Sequence, residues 1–89
     1  MASITNAQIS DINSMIDALV LSASDLDRQV LAERGIADPA VFVAKTREIV
    51  AGKMTAAGAS YLLRNRPVSL VGLMDTVRTA IRTQGQLAR

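Results

Sequence analysis

Four arginines in the second half of the chain, Arg64, Arg66, Arg78 and Arg82, are the residues whose type and spacing best suit chemistry. Arg64 and Arg66 bracket Asn65, and Arg78 and Arg82 are four apart, which puts them on one face of a helix. Guanidinium groups in such a row suit phosphate contacts. They equally suit the wall of a polar channel or ion pairs between subunits. Covalent or acid–base chemistry has little to draw on. The chain has no His and no Cys, which removes the usual general base, the commonest metal ligand and the thiolate nucleophile. Asp25 and Asp27 are two apart and point to different faces of a helix, so they do not form a carboxylate pair.

No GxGxxG and no phosphate-loop pattern occurs, so nothing announces a nucleotide. A chorismate-mutase-like helical dimer would bind carboxylates through Arg and Lys and carries an early Arg on its first helix. Here the first Arg is Arg28. The sequence therefore predicts no enzyme, no cofactor and no metal. A small dimeric nucleic-acid-binding regulator using the four arginines is the alternative. Against it, no aromatic residues interleave with the cations to stack on bases. The Arg-Pro-Val-Ser junction at 66–69 also lacks the Gly-containing turn of a helix-turn-helix.

The charge is uneven along the chain. Residues 1–44 hold six acidic and two basic residues, a net of −4, and residues 45–89 hold eight basic and two acidic, a net of +6. Opposite halves attract, within one molecule or between copies. With 89 residues the chain makes a single domain, 49% hydrophobic yet with Phe42 and Tyr61 as its aromatic residues. A core built mostly of Ala, Val, Leu and Ile is thin, and partner surface is one way to complete it. The longest charge-free stretches are ten residues, 1–10 and 54–63. A span needs about 20 apolar residues, so no membrane-spanning segment is expected. No basic stretch followed by an apolar one opens the chain, so no cleavable signal peptide is expected either.

The elements that must position these residues read as helices throughout. Thr5 and Gln8 have the spacing of a capping box. After them Ile9, Ile12, Ile16, Leu19, Ala23, Leu26 and Val30 recur at three- and four-residue intervals, widened by Met15, Val20 and Leu21. This predicts a first helix over about 6–34, weakened at Ser22–Ser24, where Ser24 could restart it. Gly35 suits a left-handed C-cap, and Asp38-Pro39 reads as N-cap and first helical residue after a turn at 35–38. A second helix is expected over about 39–66, with Phe42, Ile49, Ala56 and Leu63 seven apart on one seam. Pro67 must kink or break it. Ser69 then caps a third helix over about 69–84, with a seam of Leu70, Leu73, Val77 and Ala80. The fold class is all-α, a helical hairpin whose long second arm is kinked or broken near Pro67 and which is completed by self-association.

Small residues crowd the middle of that arm, from Thr55 to Ser60. Gly52, Ala56 and Ser60 fall four apart and on a continuous helix would stack as a stripe that lets another backbone approach closely. Gly52, Ala56 and Ser60, with Phe42, Ile49 and Leu63, are therefore the expected self-association interface, and the expected partner is a second copy.

Residues 37–50, ADPAVFVAKTREIV, resemble the turn and second helix of type III secretion needle and inner-rod subunits, whose pattern is DPxxLxxxQ. Asp38 and Pro39 match the turn signature, Val41-Phe42 takes the apolar position, and Thr46 stands where the pattern has Gln. The likeness continues more loosely to Met74. It implies a subunit exported without a cleavable signal that assembles into a helical tube crossing the bacterial envelope, with other secretion-apparatus components as possible partners. Arg64, Arg66, Arg78 and Arg82 would then be candidates for the lumen. Apart from the resemblance, the expected location is cytoplasmic.

Overall fold

A computed structural model of the chain describes residues 2–84. Five α-helices account for most of it: α1 Asn6–Ser22, α2 Asp25–Glu33, α3 Pro39–Lys53, α4 Ala56–Arg64 and α5 Leu70–Thr79. The last runs directly into a π-helical turn, Ala80–Gln84. There is no strand among the described residues, so the all-α class holds.

Local chemistry sets almost every helix end. Thr5 Oγ1 accepts the Gln8 amide at 3.1 Å while Gln8 Oε1 accepts the Thr5 amide at 3.0 Å, the reciprocal capping box. Ser24 is extended and accepts the Asp27 amide at 3.1 Å, and Asp25 and Asp27 place negative charge in the first turn of α2. The helix expected over 6–34 is therefore two helices with a break at residues 23 and 24. At the end of α2, Gly35 has φ +90°, its amide bonds Ala32 O at 3.0 Å, and the Ile36 amide bonds Leu31 O at 2.9 Å. This is a Schellman cap, with half-buried Ile36 following it against the core. Asp38 Oδ1 accepts the Ala40 amide at 3.0 Å, with Pro39 at the first helical position.

The expected helix over 39–66 is also two helices. Met54 and Thr55 are extended and buried between them, and Thr55 Oγ1 accepts the Gly58 amide at 3.1 Å. The start of the chain clasps this break: Ser3 bridges Thr55, and the Ala56 amide bonds Ala2 O at 3.0 Å. The small-residue run from Thr55 is thus the capped first turn of α4, with Gly58 and Ala59 buried. α4 ends at Arg64, ahead of Pro67, and Asn65 caps it by donating from both its backbone and side-chain nitrogens to Tyr61 O. Ser69 caps α5 as its position predicts, accepting the Gly72 amide at 3.0 Å.

α1 lies against α4 and α3, α2 against α5, and the π turn folds back along α4. Between them sit the fully buried Ile12, Ile16, Leu31, Val50, Leu62, Leu70 and Leu73. Asp27 is buried with them, and its two carboxylate oxygens accept the Leu70 and Val71 amides at 2.9 and 3.2 Å. Above this tie, Arg34 pairs with Asp75 at 3.0 Å. The accessible surface is 5358 Å², against about 5,000 Å² expected for a folded monomer of this mass. One copy closes most of its own core.

Two substitutions test these ties by urea unfolding. Asp27→Asn keeps the shape but loses the charge and one acceptor, and should lower stability by about 2 kcal/mol. Gly35→Ala meets no atom within 4 Å, so its expected loss of about 1 kcal/mol is the left-handed backbone term alone.

Candidate functional site

The turn at 35–38 brings α3 beside α1, and the two are held by a polar clamp. Arg47 on α3 donates to Asn13 Oδ1 at 2.9 Å and to Asp17, two residues one turn apart on α1. Toward the C-terminal end of α1 and the start of α3 the helices part. A groove of about 840 Å³ opens there. Its width follows from the side chains facing it: Ala40 and Ala44 on α3 and Ala23 at the break after α1 are too short to close it, over Val43 and Leu70. Val20 and Leu21 form its edge, and Leu21 is 88% exposed.

Four charges line the same groove, Asp17 and Asp38 against Arg28 and Arg47. Asp17 and Arg47 satisfy one another, and one oxygen of Asp38 is engaged in capping α3. Arg28 has no ion pair among the described residues. The exposed large hydrophobics among the described residues are Val20, Leu21, Leu26, Val41 and Val68. Of these, Val20 and Leu21 line the groove. Scattered exposed apolar side chains are ordinary, whereas grouped ones around a concavity mark a contact surface. The arrangement can bind; it holds no nucleophile beside a base, and no group of three or more His, Cys, Asp or Glu among the described residues is placed to hold a metal.

The residues expected from sequence to form the self-association interface fall elsewhere. Gly52 is exposed near the end of α3, and a Cβ there would meet nothing within 4 Å. Ala56 and Ser60 belong to α4, beyond the break, so the three do not form one stripe. Gln8 of α1 donates to both, at 3.2 Å to Ala56 O and 3.3 Å to Ser60 Oγ, so that part of the surface meets its own first helix. Phe42 and Leu63 pack partly on the chain's own core, and Ile49 is half-buried on α3. Asp38 and Pro39 cap α3 and also line the groove.

The four arginines are all exposed, spread over α4, the loop after it, α5 and the π turn. Arg64 and Arg66 lie at the loop joining α4 to α5, whereas Arg78 is eight residues into the next element and Arg82 twelve, about 12 and 18 Å along it. Arg64 and Arg78 each sit in the last turn of a helix, where a cation offsets the carbonyl end.

No protein-family model matches the chain, and neither a curated protein nor a solved structure matches it significantly.

Leu21 and Val20 were legible as apolar but read as flanks of a buried seam. The break that the sequence offers at residues 22–24 ends α1 just after them, and both side chains are exposed. Because Gly52 touches nothing, Gly52→Ala should raise stability by about 0.5 kcal/mol through helix propensity. Thermal melting checks this as an increase of roughly 2–4 °C.

Proposed function

We propose that this chain is a non-enzymatic structural subunit that works by associating with copies of itself. The observation that carries this is the apolar groove between α1 and α3 with Leu21 exposed at its edge. Leaving a Leu in water forgoes about 2 kcal/mol of burial, a large fraction of a small domain's stability. Association recovers it. Two further features support the reading: opposite net charge on the two halves of the sequence, and a groove carrying both signs of charge.

The narrower form of the proposal follows from the resemblance of residues 37–74 to needle and inner-rod subunits. In that form the copies stack into a helical tube in the bacterial envelope that serves as an export conduit. The support here is the Asp38-Pro39 turn opening α3. The breaks at 23–24, 54–55 and 65–69 make each unit a five-helix body 38 Å in its longest dimension. Self-association stands on the groove, independently of the tube.

Sedimentation velocity over a wide concentration range tests the proposal. The expected result is a reversible, concentration-dependent increase in mass, and a monomer at every concentration overturns it. Electron microscopy of the associated protein separates the forms, since tubes support the conduit and small closed particles refute it.

A further inference from the structure

We propose that copies meet through a two-fold contact in which Leu21 of each protomer seats in the other's groove, an inference that rests on the self-association proposed above. In an isologous contact the same surface must carry both a feature and its complement. This face does. Leu21 projects from the edge of the groove, with Val20 beside it, and Ala40 and Ala44 leave the space that such a side chain fills. The knob and the hole are on one surface but do not meet within one molecule, where Leu21 is 88% exposed.

The charges point the same way. A partner of one sign would satisfy half of the groove's charges and face the others unfavourably. A second copy presents two carboxylates and two guanidiniums to two of each. Asp17 and Arg47 already pair within the protomer, which leaves Arg28 and the second oxygen of Asp38 to cross the two-fold axis. Arg28 of each copy then pairs with Asp38 of the other, twice per dimer. The cation that has no ion pair among the described residues and the cap residue beside the groove become one interaction.

The native chain and four variants test this, two by sedimentation and two by cross-linking, with circular dichroism to show that helix content is kept. Leu21→Lys and Arg28→Glu alter exposed positions, and each should weaken association about tenfold or more. The third measurement uses the absence of native cysteine. Leu21→Cys copies mixed with Ala44→Cys copies should form a disulfide-linked heterodimer on mild oxidation, in higher yield than either variant alone. Association that survives Leu21→Lys and Arg28→Glu, or a mixture that does not cross-link preferentially, overturns this contact while leaving self-association standing. A native chain that stays monomeric overturns both. Monomers that take up an apolar dye in the groove, with uptake lost in Leu21→Lys, would give the groove to a small apolar ligand and likewise overturn the two-fold contact.

Discussion

The buried carboxylate of Asp27 organises the molecule more than any single apolar contact. α5 begins with amides that have no helical partner, as every helix does. Leu70 and Val71 donate theirs to Asp27, forty-three and forty-four residues earlier in the chain, and Gly72 donates to Ser69 Oγ. A carboxylate at a helix N-terminus gains both charge-assisted bonds and the favourable end of the helix dipole. The same bonds spare Asp27 the cost of a buried, unpaired charge. Because both oxygens are used, the contact sets the register of α2 on α5, which in turn puts Leu31 in the same buried cluster as Leu70 and Leu73. Pro67 is drawn in with it: its Cβ lies 3.3 Å from where a side chain on Gly72 would start, so any larger residue there would need Pro67 to give by a few tenths of an ångström.

Short helices are how a chain with little aromatic mass encloses a core. Two long arms would touch along one line and leave the outer faces of their apolar residues wet. Breaking the first arm at Ala23-Ser24 and the second at Met54-Thr55 lets α2 and α4 turn, so that five elements surround Ile12, Ile16 and Leu62. Each break costs helical hydrogen bonds, and each is met locally. Ser24 and Thr55 supply side-chain acceptors, and the strand-like pairing of Ala2 and Ser3 with Thr55 and Ala56 satisfies the second break from outside. Gly58 and Ala59 are small because they are buried where α4 meets its neighbours, α1 and the π turn.

Caps were the most legible features of the sequence, because each depends on a few neighbouring residues. Thr5 with Gln8, Ser24, Gly35, Asp38 with Pro39, and Ser69 all act at the positions their types suggest. The break at Thr55 escaped because the apolar period runs through it: Ile49, Ala56 and Leu63 keep their spacing whether or not the helix does. Periodicity reports a face only while the axis is straight. Leu26 shows the consequence, continuing the seam of α1 in sequence yet 69% exposed, because α2 has turned and buried Asp27 instead. The groove was illegible for a related reason, since it arises from small residues on two helices that local spacing cannot bring face to face.

The groove persists because of how α1 and α3 are held. Where two helices are joined by apolar side chains alone, a gap lined by alanine tends to close, since collapse recovers dispersion contacts that a void forfeits. Here Arg47 spans the pair through Asn13 and Asp17, directional bonds that favour one separation. Near the start of α2, the Asp27 tie holds Leu70 at the groove's floor. The helices cannot close over Ala40 and Ala44 without straining the Arg47 bonds that set the separation of α1 and α3. The concavity is therefore part of the framework, and a preformed concavity lowers the ordering cost of anything that docks in it.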